Sequence, residues 1–223
     1  MKNTIAISLP AAALSMALLL AGSAYGQSAM NSQSSQDSAN QSAAQQEAAQ
    51  MVRARSYLQS TLDAKDSRPG TQFAAILSQN VHLKNGSELP RGTKLIGTVA
   101  TDDMQMHGAS KLALRITSAQ LKDGKMIPVK ATIVGVFAPE TENMQGYNVM
   151  PGDEEANDWN NSMLTYDQIN AMSGVDLHSR IAGQNSGVFV AKKKDDVKIS
   201  AGSELALAIT EQGAQATGGN DGN

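Results

Sequence analysis

Three acidic groups are the residues of this chain whose types and spacing could do chemistry: Asp102-Asp103, Asp153-Glu154-Glu155 and Asp195-Asp196. A glycosidase needs two carboxylates flanking a cleft, one to protonate the leaving group and one to activate water or attack the sugar. A calcium loop needs carboxylates at alternating positions, and Asp153, Glu155 and Asn157 alternate. That loop fails the EF-hand pattern. Its sixth position is Asp158, where glycine makes the turn, and its twelfth is Leu164, where a bidentate glutamate belongs. Weak, irregular calcium binding over 153–160 is the metal reading that survives; otherwise the run is a solvated loop.

The remaining motifs carry no reaction. There is no Gly-x-Ser-x-Gly elbow, no Ser-x-x-Lys, no His-Glu-x-x-His and no Gly-x-Gly-x-x-Gly. "GSELPRGTK", Gly86 to Lys94, has glycines, a threonine and a lysine, but out of order for a phosphate loop and between strands instead of at a helix start. His82, His107 and His178 are far apart in the chain. The absence of cysteine removes thiolate nucleophiles, zinc–thiolate sites, disulfides and a lipid-modified anchor. Aromatic residues make up 4% of the chain, with a single Trp159, whereas sugar clefts are usually lined with aromatics. The expectation is a protein that is not an enzyme and uses no cofactor.

The elements that would position these residues are strands. "TQFAAILSQNVHLKNGSEL", "TKLIGTVAT", "SKLALRITSAQL", "MIPVKATIVGVFA", "GVFVA", "DVKIS" and "ELALAIT" are short, rich in Val, Ile, Leu, Thr and Ala, and separated by turn residues. Asn85-Gly86 and Asp123-Gly124 accept the positive φ of a tight hairpin. They predict pairing of Val81–Lys84 with Leu95–Val99, and of Leu112–Leu121 with Met126–Val136. Gly86, Pro90, Gly92, Gly97, Asp123, Gly124 and Gly202 are expected to be structural turn residues. A shift of 116 positions lays Phe73, Ala75, Val81, Gly86, Ser87, Glu88 and Leu89 on Phe189, Ala191, Val197, Gly202, Ser203, Glu204 and Leu205. This predicts two copies of a strand–turn–strand unit in comparable positions of a closed sheet, since closure removes unpaired edges. The basic run Lys192-Lys193-Lys194 fits a hairpin tip or edge strand.

Both ends fall outside that core. The start, "MKNTIAISLPAAALSMALLLAGSAYGQS", has Lys2, an apolar run over Ala11–Ala21 and small residues at Ala24 and Gly26, the pattern of a secretory signal cut after Gly26. Its apolar run is shorter than the roughly 20 residues that span a bilayer, and no other segment could span one. Loss of Lys2 from the 18 basic residues leaves 17 against 21 acidic ones, a balance that argues against nucleic-acid binding. Residues 27–51 are nearly all Ser, Gln, Ala and Asn and read as a flexible tether, with transient helix over Ala43–Met51. Residues 213–223 read as a disordered tail. The folded domain is therefore 52–212: an all-β, small closed or partly open antiparallel barrel or sandwich.

One interval, 139–187, lacks alternation and reads as a long insertion. "SMLTYDQINAM", Ser162–Met172, sets Met163, Ile169 and Met172 on one helical stripe, predicting a short helix capped by Ser162 or Thr165. Long insertions in compact domains are usually functional. Met144, Tyr147, Trp159, Met163, Tyr166, Ile169 and Met172 are thus the candidate partner surface.

"LPRGTKLIGTV", "SKLALRITSAQLKDGKMIPVKATI" and "SGVFVAKKKDDVKISAGSELALAI" together resemble the C-terminal β-barrel region of TrbI-like proteins of type IV secretion and conjugation systems. Pro90, Gly92, Thr93, Leu95 and Gly97 match that family's Pro-x-Gly-(Thr/Ser)-x-(Leu/Ile)-x-Gly phrase, Asp123-Gly124 its hairpin turn and Gly202-Ser203 its last turn. The resemblance spans roughly Thr71–Thr210. It implies a periplasmic barrel with an insertion between late strands, assembling with envelope proteins. The chain departs from the family's full-length pattern of inner-membrane helix and proline-rich linker, and its insertion lacks the apolar length of a membrane-crossing hairpin.

Two functions of different class follow. The first is an exported, periplasmic or secreted, non-enzymatic module for assembly with envelope proteins or with copies of itself. The second is a protein that binds or hydrolyses envelope polysaccharide through Asp102, Asp103, Asp153–Glu155 and Trp159.

Overall fold

The computed structural model describes residues 42–139, 164–192 and 196–213. The described residues form thirteen strands: β1 (Val52–Leu58), β2 (Leu62–Asp63), β3 (Gln72–Leu77), β4 (Val81–His82), β5 (Glu88–Leu89), β6 (Lys94–Ala100), β7 (Ser110–Gln120), β8 (Met126–Phe137), β9 (Thr165–Met172), β10 (Val175–Arg180), β11 (Gly187–Ala191), β12 (Lys198–Ile199) and β13 (Glu204–Glu211). Six of them close an antiparallel barrel in the order β6-β3-β1-β13-β8-β7, with β6 pairing back onto β7. The all-β barrel expected from the alternation is therefore the fold, with a side sheet of β11, β10 and β9 attached to β7.

Alternation decides which face each strand buries. On β6 Leu95 and Val99 point inward while Lys94, Ile96, Thr98 and Ala100 are only half-buried. On β1 the inward residues are Ala54, Ser56 and Leu58. Ala54, Leu58, Leu95 and Val99 join Phe73, Leu77, Leu114, Ile116, Ile133, Leu205 and Leu207 in one continuous core.

Two hairpins share one turn geometry. Leu83 N–H donates to Ser87 O and Gly86 N–H to Leu83 O, and Leu121 N–H donates to Lys125 O and Gly124 N–H to Leu121 O. Gly86 and Gly124 take φ of 88° and 86°, which only glycine adopts without strain. Asn85 Oδ1 and Asp123 Oδ1 each accept the N–H two residues on. The Asp123-Gly124 hairpin joins β7 to β8 as its sequence predicts. The Asn85-Gly86 turn does not join Val81–Lys84 to Leu95–Val99. It folds β4 onto β5, and Pro90 O then accepts Thr93 N–H in a second turn with Gly92 at φ 87°. Strand β6 leaves that turn in register with β3 and β7.

Gly97 is a strand residue, not a turn. It lies opposite Phe73 on β3, beside a bulge at Ile96/Gly97, and a Cβ there would meet Phe73 Cζ at 2.5 Å and Arg115 O at 2.6 Å. The glycine makes room for the aromatic ring, and the bulge adds the curvature that closure needs. The repeat is likewise local. Gly86 and Gly202 both have positive φ, and Leu89 and Leu205 are both fully buried. But the strand after the Gly86 turn, β5, pairs with β4 in a separate two-stranded ribbon, whereas the strand after the Gly202 turn, β13, pairs with β1 and β8 in the barrel wall.

The segment Thr165–Met172 is strand β9, not a helix. Thr165, Asp167 and Ile169 face solvent and Tyr166 and Gln168 face in, a period of two, and β10 supplies its partner. Ser173-Gly174 is the turn between them, with Gly174 at φ 74°. The described helix lies in the segment read as a tether, over residues 42–50. "SAAQQEAAQ" is built from strong helix formers. Ala44 and Ala48, four apart, are buried along with Met51, and Ala48 and Met51 pack with Ile181 and Ala208. Glu47 adds an ion pair to Lys130 on β8 at 2.6 Å.

Strands β7 and β8 pair over only three residues each, Ser118–Gln120 with Met126–Pro128, and then part. Ser186 fills the fork. Its N–H donates to Leu114 O, its carbonyl accepts Ile133 N–H, and its Oγ accepts Ile116 N–H at 2.9 Å. Further out, Ser179 Oγ donates to Ile133 O, and Gln168 Oε1 accepts Val136 N–H at 3.0 Å. The Ser186 backbone and the side chains of Ser179 and Gln168 thus replace the ladder that β7 no longer offers to β8.

Ser186→Ala should leave the Ile116 N–H unpaired in the interior and lower unfolding free energy by about 1–3 kcal/mol, measured by denaturant titration. Gly97→Ala should cost about 1–3 kcal/mol by crowding Phe73, and Phe73→Leu in the same chain should recover part of it.

Candidate functional site

The adjacent acids on the loop 101–109 face different partners. Asp102 Oδ1 accepts Met104 N–H at 3.0 Å, and its Oδ2 accepts Met106 N–H at 2.7 Å and Lys111 Nζ at 3.0 Å. Asp103 Oδ2 accepts Gln184 N–H at 2.7 Å and Asn185 N–H at 3.3 Å. One carboxylate shapes its own loop, and the other ties that loop to the turn before Ser186. They do not face one another across a cleft. Asp153–Glu155, Trp159, Met144, Tyr147, Met163, Lys193, Lys194 and Asp195 lie outside the described residues. Asp196 pairs with Lys65. His82 is on β4, His107 on the loop 101–109 and His178 on β10. Among the described residues no three His, Asp or Glu side chains gather to hold a metal.

Of the expected partner surface, Tyr166, Ile169 and Met172 are described, and all three stand on β9. Tyr166 is half-buried against the cluster of Ala48, Met51, Ile181 and Ala208, and Met172 packs against the main core. Ile169 is 62% exposed, a greater exposure than that of Tyr57 or Met126.

Among the described residues β9 is the last strand of its sheet and has a neighbour on one side only. Its register fixes which backbone groups are left. Ile181 N–H donates to Leu164 O, so Tyr166 and Gln168, in step with Leu164, direct their backbone groups at β10. Thr165, Asp167 and Ile169 direct theirs the other way. The same register makes Asp167 and His178 a non-hydrogen-bonded pair, where side chains approach most closely. His178 Nδ1 stands 2.7 Å from Asp167 Oδ1.

The end of this hairpin is closed by a residue that its sequence does not mark. Asp176 on β10, with a side chain 5% exposed, accepts Asn170 N–H through Oδ1 at 2.8 Å and the Lys192 ammonium through Oδ2 at 2.5 Å. Asn170, at φ 57°, accepts Gly174 N–H in turn. Burial pushes the Asp176 carboxyl up, but the hydrogen bonds from Lys192 and Asn170 and the charges of Lys192 and His178 outweigh it, leaving it below its ordinary value of 3.8. Lys192 therefore belongs to a bound pair, and β9, β10 and β11 are stitched together at one end. The only sequence signals were the Ser173-Gly174 turn and an acid within an otherwise apolar "VDL" run.

The hollow between helix 42–50 and β13 is lined by charges already engaged. Glu47 is paired with Lys130, and Glu211 accepts Asn85 Nδ2 and Ser87 Oγ. Among the described residues no helix is long and apolar enough to cross a membrane.

No family model matches the chain. No curated protein matches it. Among solved structures it is similar to ComB10 of the Com type IV secretion system of Helicobacter pylori, at 11% identity and a TM-score of 0.33, over 71% of this chain and 84% of that one. At that level the likeness says nothing of what this chain binds.

Asp176 makes stability depend on acid in a defined direction. A carboxyl depressed in the folded state stabilises fully above its unfolded value, near 3.8, and its contribution fades as pH falls from there through the folded value. Asp176→Asn should therefore be less stable than wild type at pH 7, by about 1–3 kcal/mol, and the gap should narrow below pH 3.8 in denaturant titrations run across pH.

Proposed function

We propose that this chain is an exported, non-enzymatic protein of the cell envelope whose barrel is a docking module for partner proteins, a relative of the TrbI-like barrels of type IV secretion. One observation carries the reading: β9 ends its sheet with the backbone groups of Thr165, Asp167 and Ile169 turned outward and an exposed isoleucine beside them. An extended segment of a partner adds to such an edge by main-chain hydrogen bonds and gains specificity from alternate side chains. Ile169 supplies the apolar contact and Asp167 the polar one. The strand lies within the interval 139–187 that reads as an insertion, so a partner on β9 engages that interval.

Export is supported by the leader-like residues 1–26. Kinship with the TrbI-like barrels is supported by the turn phrase from Pro90 to Gly97, whose Pro90-to-Thr93 turn and Gly97 bulge are barrel-building devices here. A non-enzymatic role is supported by the engagement of Asp102 with the backbone of its own loop and of Asp103 with the N–H groups of Gln184 and Asn185.

A photo-crosslinking residue at position 169, in the full chain expressed with its leader, should give discrete adducts in the envelope fraction. The same residue at Met126, which is also exposed, should not. Asp167→Pro removes an outward N–H at an edge, where proline is tolerated, and should abolish the adducts with the barrel still folded. Identical adducts from both positions, or none from 169, would sink the proposal.

A further inference from the structure

The loop 101–109 carries donors that the docking surface does not use. Met104-Gln105-Met106-His107 sets two thioethers and one imidazole within four residues. Both methionines are half-buried and pack on one apolar wall, Ala113, Val188 and Val190. Met106 and His107 also line one cavity of about 510 Å³, with Asp102 and Lys111 on its rim. Met106 belongs to both groupings: it shares the apolar wall with Met104 and the hollow with His107.

The loop that presents them is held in place. Asp102 accepts the N–H groups of both methionines, and Lys111 bonds Asp102 and Met106 O. At the far end Ala109 N–H donates to Ala191 O at 2.8 Å, and a Cβ on Gly108 would lie 2.3 Å from Val190 Cγ1. Between the methionines Gln105 is forced to φ 53°, one of two non-glycine residues with positive φ among those described. Covering Val188 and Val190 would need only apolar side chains. It would not need sulfur, nor an exposed imidazole beside it.

Donor type narrows the ligand. Thioethers are soft and bind calcium, magnesium and manganese poorly; with an imidazole they suit Cu(I). The cation on the rim, Lys111, is neutralised by Asp102 at 3.0 Å, so a single positive charge is not repelled. We propose that Met104, Met106 and His107 form a binding site for a soft monovalent metal ion of the Cu(I) class.

The test is anaerobic titration of the full chain with Cu(I) against a chromophoric Cu(I) chelator. Wild type should hold one equivalent. Met104→Leu and Met106→Leu keep side-chain volume and packing, and each should weaken retention at least tenfold, as should His107→Gln, whose site is exposed and whose fold is not at risk. Circular dichroism should be unchanged. X-ray absorption of the loaded protein should show sulfur and nitrogen neighbours of the metal. Retention by wild type no better than by the Met104→Leu/Met106→Leu double variant, no loss in His107→Gln, or equal retention of Zn²⁺ would each overturn the site.

Discussion

The structure depends on how β8 is satisfied after it leaves β7. A hairpin that stayed zipped would give a plain barrel with no place for a side sheet. Here the ladder stops after three residue pairs, and the exposed backbone of β8 must find other partners or bear the cost of buried, unpaired groups. Ser186 takes one N–H from each strand and gives its own N–H to β7, while Ser179 and Gln168 serve Ile133 and Val136. Each such bond is worth only about 1 kcal/mol net, but its loss inside the protein costs more than its formation gains. The side sheet is therefore joined to the barrel by the β7–β11 ladder and by these polar groups, and the apolar contacts under helix 42–50 and Ile181 close over it.

That arrangement explains what was legible in the residues. Turns built on Asn-Gly and Asp-Gly are local, and Gly86 and Gly124 adopt the positive φ that their neighbours imply. The strands of the barrel alternate because one face meets the core, and the alternation survives in the sequence. Strand β9 was not legible. "TYDQINAM" has polar residues on both faces, since Gln168 points inward to bond Val136 and Ile169 points out. Its period is visible only once β10 is in register. Gly97 looked like a turn because the ring that excludes a side chain there, Phe73, is 24 positions away in the chain.

The proposed partner surface was half legible for the same reason. Tyr166, Ile169 and Met172 are apolar residues in a polar stretch, which singles them out under any geometry. A helical stripe would have put Ile169 and Met172 on one face, whereas the strand leaves Ile169 in solvent and tucks Met172 against the core. Asp176 was invisible because nothing in "GVDLHS" states that Asn170 and Lys192 converge on it. A buried carboxylate is recognised by its partners, and here one lies six residues before it and the other sixteen after.

Among the described residues β9 leaves one edge open, a hazard as well as an opportunity, and the strand restricts its own use. Asp167 puts a charge in the middle of the outward-facing positions, which opposes pairing with a second copy of the same strand in the register that sets Asp167 against itself. The left-handed Asn170 and the register shift between Val175 and Leu177 break the strand's regularity toward its end. An added strand therefore finds its regular outward groups on Thr165, Asp167 and Ile169, too few backbone bonds for tight binding by themselves. A partner must recruit further contacts from beyond the edge, and the chain supplies the side chains nearest to it, Ile169 on the strand itself. Short, charged and interrupted, β9 is a poor template for indiscriminate strand pairing.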